Sequence, residues 1–321
     1  MTFDLTPETI LGAVERATGL PLTGLISPLP SYINRVYELR TKEGEKIIVK
    51  FYRPGRWNTA AIQDEHTFLA ELDQAEISVV PPLGLANQTT LETVDATPFA
   101  VFPKKAGRQL EINAWEDWIR LGTLVARMHT ISSQNAANAR ITLHPLHSTS
   151  EDAEYLCRNV LPPHYIESYR SLLRELIDLS APLFERAERI RLHGDLHRGN
   201  ILDRLDEGLL LIDFDDMAMG PPVQDLWLLL PDRAANSRTE IELFLEGYEQ
   251  FRDFDRDTLA CIEPLRAMRM IYFLAWCSRQ IDDYQFRSNF PDWGNDSFWR
   301  KEINDLQEQM GFVRESISSS S

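Results

Sequence analysis

Side chains that could handle phosphate and a metal ion are concentrated in two short stretches of this 321-residue chain. In the first, residues 193–200, Asp195 and Asn200 lie five positions apart in a turn that contains two glycines. In the second, Asp213 follows the apolar run of residues 209–212. Phosphoryl transfer uses one carboxylate to orient the incoming hydroxyl, and an amide oxygen with a second carboxylate to hold Mg²⁺ on the phosphates. The order and types of these residues therefore predict a phosphoryl-transfer site.

Both stretches belong to one predicted β-hairpin. Residues 200–202 and 209–212 have strand character, and an acidic turn that contains a glycine separates them. The polar residues at the hairpin ends, Asn200 and Asp213 among them, can therefore converge. Taken singly, each of these residues is better explained as a turn former or a solvated strand end. The ordered set favours the catalytic interpretation.

The residues around this turn leave further interpretations open. Asp215 and Asp216 extend the acidic cluster, and a role for one of them toward metal or substrate competes with capping or solvated roles. A metal-dependent hydrolase is one alternative, with a transition metal held by His193, Asp195, His197 and Asp213. A nucleotide-binding pseudokinase is another, although the intact polar set argues against it.

A lysine and a glutamate in the first hundred residues predict the nucleotide side of the site. Lys50 lies inside the apolar strand-like run of residues 47–51, where an unpaired charge is costly to bury. Glu65 lies on the apolar side of a predicted helix, so each residue can solve the other's desolvation problem. In kinases such a pair orients the lysine toward the α- and β-phosphates. Asp64 is the alternative acidic partner, and two snorkelling surface side chains are the alternative to any pair.

The predicted elements give an α+β fold. Residues 1–103 are predicted to form a small antiparallel sheet with one inserted helix, and residues 104–315 a mainly helical part with a boundary near residues 103–107. Residues 316–321, rich in serine, are predicted to be a disordered tail. Strands are expected at residues 36–39, 47–51, 79–80 and 99–102, and helices at residues 59–72, 165–190 and 257–281.

Composition limits the classes of partner. The net charge of −16 argues against general affinity for nucleic acid or anionic lipid, because the mean field repels polyanions. The sequence shows no basic segment followed by an apolar one, which is the pattern expected of a signal peptide. No apolar run is long enough for a membrane span. The three cysteines, far apart and odd in number, are expected to be reduced structural thiols of a cytoplasmic protein.

The spacing of the polar set resembles the catalytic loop and metal-binding Asp of protein kinases, in the variant used by aminoglycoside and choline kinases. That resemblance implies a bilobal protein-kinase-like fold that uses ATP and Mg²⁺. It implies that Asp195 and Asp213 are catalytic, and that Asn200 and Asp213 bind magnesium. The implied supporting roles fall to His193 within the loop, to Asp225 as a hydrogen-bond acceptor from the loop backbone, and to His197, which is either a turn residue or a contact to the transferring phosphate.

The phosphate loop departs from the usual protein-kinase pattern. A glycine-rich turn is expected before Val36, but residues 29–35 contain no glycine. In this branch a Ser/Asn loop can present backbone N–H groups and a hydroxyl to phosphate. Ser31 is therefore predicted to lie beside the nucleotide, together with Lys50 and Glu65.

Further motifs resemble the stress response kinase A family, a group of bacterial Ser/Thr protein kinases in the aminoglycoside-phosphotransferase-like superfamily. The motifs lie at residues 30–37, 49–57, 99–103, 192–195, 224–227 and 263–269. The resemblance implies a cytoplasmic, monomeric enzyme that phosphorylates protein Ser/Thr, including itself, and that protects against envelope and oxidative stress.

The acceptor is the open question of the sequence. Only eleven residues separate Asp213 from Asp225, too few for the long activation segment that positions peptides in eukaryotic kinases. This favours the alternative of a small-molecule kinase of the homoserine, choline or aminoglycoside type. One helical stripe either lines the acceptor site or packs in the core with exposed arginines, and its members are Arg266, Arg269, Tyr272 and Trp276.

Overall fold

The computed structural model describes residues 5–31, 33–281 and 284–318, with no side-chain description for residues 284 and 285. The α-helices of these residues are α1 (Pro7–Thr18), α2 (Thr59–Gln74), α3 (Trp115–Ser132), α4 (Ser150–Asn159), α5 (Ile166–Arg186), α6 (Gln224–Trp227), α7 (Arg238–Tyr248), α8 (Ile262–Ser278), α9 (Tyr284–Asn289) and α10 (Asp296–Ser318). The strands are β1 (Leu22–Leu29), β2 (Arg35–Thr41), β3 (Lys46–Phe51), β4 (Glu92–Val94), β5 (Thr97–Pro103), β6 (Arg108–Gln109), β7 (Ile190–Leu192), β8 (Ile201–Asp203), β9 (Leu209–Leu211) and β10 (Ala218–Gly220).

The chain divides into two compact units. The sheet unit contains residues 1–112, 130–140 and 197–217, and the helical unit contains residues 113–129, 141–196 and 218–321. The predicted division into two lobes, residues 1–103 and 104–315, uses different boundaries and stays a prediction. Of the predicted disordered tail, residues 316–318 belong to α10, and residues 319–321 lie outside the described residues.

The sheet unit is built on a five-stranded antiparallel sheet with the order β1-β2-β3-β5-β4. The predicted inserted helix is present as α2, between β3 and β4. A further helix, α1, precedes the sheet. The Thr6 side chain accepts a hydrogen bond from Thr9 N at its start, Pro7 supplies a preset φ, and Gly19 ends it at φ +69°. The predicted mixture of antiparallel sheet and helix is confirmed.

Strand β3 presents its two faces to different helices because side chains alternate along a strand. Val49 and Phe51 are fully buried in a cluster that includes Ile10 of α1. On the opposite face, Tyr52, just beyond the strand, packs against Ile62 of α2. Lys50 shares the α2 face, so the alternation of β3 directs its side chain toward the helix that carries Glu65.

The predicted strand at residues 79–80 is wrong. Residues 77–85 have no regular secondary structure, and the two following prolines, Pro81 and Pro82, have no N–H groups with which to continue a ladder. The segment is held by separate hydrogen bonds instead. One of these runs from Leu83 N to Val101 O at 2.7 Å.

The predicted hairpin is confirmed as β8 and β9, which pair antiparallel with Ile201 opposite Leu211. Gly208 takes φ +83° in the connecting turn, a backbone conformation that side chains rarely adopt. The short strand β6 adds to the other side of β8. This three-stranded sheet belongs to the sheet unit and supports the turns at the hairpin ends.

The helical unit contains most of the remaining helices and the two-stranded ribbon β7–β10. The helix predicted at residues 165–190 ends at Arg186, because the chain becomes extended at Ala187 and enters β7. The helix predicted at residues 257–281 begins as a 3₁₀ segment, Arg256–Cys261, and continues as α8.

Helices α3 and α7 approach each other closely enough for their backbones to touch. A Cβ atom added at Gly122 would lie 1.8 Å from Phe244 O, and one added at Gly247 would lie 2.0 Å from Ile119 O. Only glycine fits at either position. In the described part of the chain, no helix combines the length and apolarity needed to cross a membrane.

Candidate active site

Asn200 and Asp213 lie at the same end of the β8–β9 hairpin. The Ile212 N–H donates a hydrogen bond to Asn200 O at 3.0 Å, so Asn200, just before β8, lies next to the residue that precedes Asp213. Asn200 is buried, whereas the Asp213 side chain is 58% exposed. An amide oxygen beside an exposed carboxylate is a hard oxygen donor set that suits Mg²⁺. The donor types therefore fit the predicted metal.

Asp213 has an unusual backbone conformation, with φ 62° and ψ 68°. A residue other than glycine takes the left-handed region at some energetic cost, so the surrounding structure must impose it. The following residues form a short 3₁₀ turn, Phe214–Asp216, in which Phe214 packs edge-on against Phe68 of α2. The buried phenyl ring anchors the turn and turns the Asp213 carboxylate outward.

Lys50 is surrounded by carboxylates. Its Nζ lies 2.9 Å from Asp215 Oδ1 and 3.5 Å from both Glu65 Oε1 and Asp213 Oδ1. The predicted pair with Glu65 is present, but Asp215 is the nearer partner. Burial by itself would lower the pKa of Lys50, and the charges of Asp215 and Glu65 outweigh it and raise that pKa well above the usual value. Lys50 is therefore a fixed cation at the sheet surface.

Asp215 is a buried ion-pair partner, which the sequence left undecided. Its side chain is 5% exposed and its second oxygen lies 2.6 Å from Arg56 Nη1. Burial alone would raise the pKa of Asp215, but Lys50 and Arg56 lower it strongly. Asp216, which is more exposed, accepts a hydrogen bond from Arg56 Nη2 at 2.6 Å. Both acids are therefore engaged by the same guanidinium group.

Arg140 organises the other side of Glu65. Its Nη2 donates to Glu65 Oε2 at 2.8 Å, and its Nη1 donates to the backbone oxygen of Asp215 at 2.7 Å. The guanidinium also stacks on the Trp57 ring at 4.4 Å. Glu65 thus lies between two cations, Lys50 and Arg140. The alternative partner Asp64 instead accepts a hydrogen bond from Ala139 N at 2.8 Å.

The segment after β3 joins two turns of the sheet unit. Arg53 Nε donates to Ile33 O at 2.9 Å and its backbone N–H donates to Asn34 Oδ1 at 3.1 Å. Three residues later, Arg56 holds the turn that follows Asp213. The predicted phosphate residue Ser31 is half-buried and lies between β1 and β2, and its neighbour Tyr32 lies outside the described residues.

His66 is a buried neutral histidine on the Lys50 face of α2. Its ring nitrogens form hydrogen bonds with Tyr52 Oη at 2.9 Å and Thr90 Oγ1 at 2.7 Å. Burial first, and then the charges of Lys50 and Arg140, lower the pKa of His66 to about 3. Protonation of His66 would place a third positive charge near those of Lys50 and Arg140.

The buried His66 predicts a pH-dependent stability. Below its usual pKa of 6.5 the unfolded chain binds a proton that the folded chain excludes, so the free energy of unfolding falls as the pH drops from about 6.5 toward 3. The slope is at most about 1.4 kcal/mol per pH unit. Urea unfolding between about pH 4 and 6 should show a flatter dependence in His66→Gln. The control His164→Gln, whose side chain is 62% exposed, should keep the wild-type slope; equal slopes in all three proteins would contradict this assignment.

In the helical unit, Asp225 holds the backbone of the loop that carries Asp195. Its carboxylate accepts hydrogen bonds from His193 N at 2.8 Å and Gly194 N at 2.9 Å. Gly194 has φ +84°, which favours glycine at this position. Asp225 is fully buried and also contacts the His129 ring at 3.1 Å. The predicted support of the loop by Asp225 is confirmed.

Asp195 forms an ion pair that the sequence did not predict. Arg269 Nη2 of α8 donates to Asp195 Oδ1 at 2.7 Å, and the Asp195 side chain is 19% exposed. The backbone N–H of Asp195 faces the His193 ring at 3.4 Å. Arg269 belongs to the stripe of residues that the sequence associated with either acceptor binding or core packing.

His197 forms part of the turn that precedes Asn200. Its Nδ1 accepts a hydrogen bond from Gly199 N at 3.0 Å, and a Cβ atom at Gly199 would lie 2.7 Å from the imidazole ring. One ring nitrogen is therefore used to shape the turn. In the described part of the chain, no three His, Cys, Asp or Glu side chains come together as a metal-binding group.

Three arginines have partners that the sequence did not predict, namely Arg56, Arg140 and Arg269. Arg56 carried a signal, because it lies only six residues after Lys50 in a motif already singled out. Arg269 was noticed as part of a helical stripe. Arg140 had no local signal, since it lies in an irregular segment far from both of its partners in sequence.

Residues 25–262 match a family described as the phosphotransferase enzyme family. The chain is 36% identical over 313 residues to stress response kinase A of Shigella flexneri, covering 97% of this chain and 94% of that protein. It is 34% identical over 316 residues to the serine/threonine protein kinase RdoA of Salmonella typhimurium, with the same 97% and 94% coverage. Among solved structures, an amicoumacin kinase in complex with AMP-PNP and Ca²⁺ has a TM-score of 0.72 at 20% identity, covering 93% of each chain. That likeness concerns the fold, and it confirms the predicted fold class.

Proposed function

We propose, from the premise that this chain belongs to the phosphotransferase enzyme family, that it is an ATP- and Mg²⁺-dependent Ser/Thr protein kinase. It transfers the γ-phosphoryl group of ATP to a protein hydroxyl, including its own. The name of one relative, the serine/threonine protein kinase RdoA of Salmonella typhimurium, supports the protein acceptor. The AMP-PNP and Ca²⁺ bound by the amicoumacin kinase support the use of a nucleotide and a divalent metal.

One observation carries the proposal most directly. Lys50, buried in the central strand of the sheet, lies 3.5 Å from both Glu65 and Asp213. The cation expected to contact phosphate and the carboxylate expected to hold the metal are therefore adjacent. A nucleotide triphosphate with its bound Mg²⁺ requires this combination of charges.

Each residue of the sheet unit then has a specific task. Asn200 and Asp213 would hold Mg²⁺, which would supply positive charge to neutralise the phosphates. Lys50 contacts the α- and β-phosphates, while Glu65 fixes its position. Ser31 presents its hydroxyl and the neighbouring backbone N–H groups to phosphate.

In the helical unit, Asp195 orients the acceptor hydroxyl and accepts its proton. The hydroxyl oxygen forms a bond to the γ-phosphorus while the bond between that phosphorus and the bridging oxygen of ADP breaks. ADP leaves with the bonding electron pair. Asp225 keeps the Asp195 loop in place through its two backbone hydrogen bonds, so its contribution is positional.

A small-molecule kinase is the second candidate, and one observation favours it. The eleven residues between Asp213 and Asp225 include β10 and the start of α6, which leaves no long segment for peptide positioning. The amicoumacin kinase, with the same fold, acts on such an acceptor by its name. The two candidates share the phosphoryl-transfer chemistry and differ in the acceptor.

We further propose that the enzyme is a cytoplasmic monomer. Its cysteines support a reducing compartment: Cys157, Cys261 and Cys277 are all buried and unpaired with one another. Burial raises the pKa of Cys261 and of Cys277 to about 12, which keeps both thiols protonated.

Incubation with γ-labelled ATP tests the proposed function. Self-labelling and labelling of protein acceptors are compared with labelling of amino alcohols and aminoglycosides. Asp195→Asn should reduce transfer to protein by about 10²- to 10⁴-fold, the usual contribution of a general base. The control Asp178→Asn, at an exposed position of α5, should behave as wild type. Label found only on a small acceptor would overturn the protein-kinase assignment and keep the phosphotransferase one.

A further inference from the structure

We propose that Arg269 selects acceptors that carry a carboxylate beside the reacting hydroxyl, so that the preferred substrate is a Ser or Thr flanked by acidic residues. This inference rests on the proposed function, because it takes Asp195 as the residue that orients the hydroxyl. It adds the chemical class of the acceptor, which neither the catalytic loop nor the metal-binding turn determines.

The geometry places a cation at the point where the acceptor must arrive. Arg269 Nη2 lies 2.7 Å from Asp195 Oδ1, and the Arg269 side chain is 39% exposed. A guanidinium group has five N–H donors in a fixed planar fork. The side chain pairs with Asp195 through Nη2. Because the side chain is also partly exposed, its remaining N–H donors can meet an acceptor beside the Asp195 carboxylate.

The neighbouring arginine of the same helix is already engaged. Arg266, one turn earlier in α8, donates to the backbone oxygen of Asp232 at 2.8 Å and stacks on the Trp227 ring at 4.9 Å. It also lies 3.8 Å from Glu263. Arg266 thus packs against the protein, while Arg269 presents its charge outward. Two hypotheses were given for the helical stripe that contains both arginines. Packing against the protein describes Arg266, and acceptor binding describes Arg269.

The charge of Arg269 distinguishes the two acceptor classes. A protein with a net charge of −16 repels anions on average, so an anionic acceptor needs a local cation. An arginine can bind a carboxylate with two parallel hydrogen bonds, which gives both strength and orientation. The same charge disfavours an amino alcohol or an aminoglycoside, whose ammonium groups would approach Arg269. An acidic peptide therefore fits this position better than a cationic small molecule.

Three synthetic peptides of equal length test the inference. They share one Ser and differ only in its two neighbours, which are Asp, Asn or Lys. The measured quantity is the ratio of kcat/KM between peptides within each enzyme variant, which cancels any general loss of activity. Wild type should prefer the Asp peptide over the Asn peptide by about tenfold, the effect of one charge-assisted hydrogen bond.

The variants then assign the preference to Arg269. Arg269→Gln should bring the Asp/Asn ratio close to one, Arg269→Lys should keep part of it, and Arg269→Glu should favour the Lys peptide. The matched control is Arg279→Gln, because Arg279 also pairs with an aspartate at 2.9 Å, Asp152, and is 49% exposed. Its ratio should equal that of wild type. Melting temperatures establish that all variants are folded.

The outcomes separate this inference from the proposed function. If wild type and Arg269→Gln phosphorylate all peptides with the same kcat/KM ratios, the inference alone is overturned. A purely structural role of Arg269 would give this result, because it would lower the rates with all three peptides equally. Phosphorylation of amino alcohols by wild type without phosphorylation of any peptide or of the protein itself would overturn the protein-kinase assignment as well.

Discussion

Asp213→Asn is expected to lower metal-supported phosphoryl transfer by at least about a hundredfold while the protein remains folded. The substitution removes the negative charge that holds Mg²⁺ and keeps the size of the side chain. The Asp213 carboxylate is 58% exposed and lies 3.5 Å from Lys50 Nζ, whereas Asp215 lies closer to Lys50, at 2.9 Å. Loss of the Asp213 charge therefore weakens metal binding far more than it weakens the fold.

Asparagine is the appropriate replacement because of the backbone. Asp213 has φ 62°, and asparagine is among the residues that tolerate the left-handed region best. An alanine at this position would mix a conformational effect with the loss of the ligand. The melting temperature without nucleotide should therefore change little in Asp213→Asn, whereas the stabilisation by ATP with Mg²⁺ should be reduced.

The measurement is a titration of transfer rate against Mg²⁺ at fixed ATP. The matched control is Asp206→Asn, an exposed aspartate in the turn of the same hairpin, which changes the net charge equally and should retain the wild-type curve. Full transfer by Asp213→Asn at the wild-type Mg²⁺ concentration would remove Asp213 from the mechanism.

Asp215→Asn is expected to destabilise the protein by about 3 kcal/mol, because removing one partner of a buried ion pair leaves the other charge uncompensated. Asp215 is 5% exposed and is the nearest carboxylate to Lys50, at 2.9 Å, as well as a 2.6 Å partner of Arg56. Lys50 would keep Glu65 and Arg56 would keep Asp216, so the protein should still fold. The position of Lys50 should relax, and the KM for ATP should rise.

Urea unfolding at neutral pH measures the effect. Asp216→Asn is the matched control, since Asp216 is another acidic partner of Arg56 but is 23% exposed. Its replacement should cost about 1 kcal/mol or less. The double variant Asp215→Asn with Arg56→Gln should lose less free energy of unfolding than the sum of the single variants, as expected for groups in contact. Strict additivity would mean that the two side chains do not stabilise each other.

Local sequence patterns were sufficient for several parts of the fold. The hairpin β8–β9 follows from two apolar runs with a glycine turn. Helix α1 was not predicted, although its Thr6-Pro7 start and its Gly19 stop are visible in the sequence. The prediction failed at residues 79–80, where β-branched residues favoured a strand. Two prolines removed the N–H groups that a ladder needs, so the competing local signal prevailed.

Local sequence patterns likewise predicted only part of the site. The pairing of Lys50 with Glu65 could be predicted because each residue, taken alone, would be a buried charge in a regular element. Asp215 could not be assigned, because an acid two residues after a strand is compatible with solvent, metal or a buried partner. Its burial and its two cations decide between these, and both are properties of packing.

The sequence by itself determined which chemical groups the protein brings to phosphate and metal, because Asp195, Asn200 and Asp213 lie close together along the chain. The β8–β9 hairpin brings together the two chain ends at Asn200 and Asp213. Only the tertiary structure decided which arginines pair with the acidic residues of the site. Arg140 and Glu65 are 75 residues apart, and Arg269 and Asp195 are 74 residues apart. No turn or helical period relates positions at such separations. Contacts between them depend on how helices and strands pack. The burial that packing creates strengthens the electrostatic interaction between the paired charges.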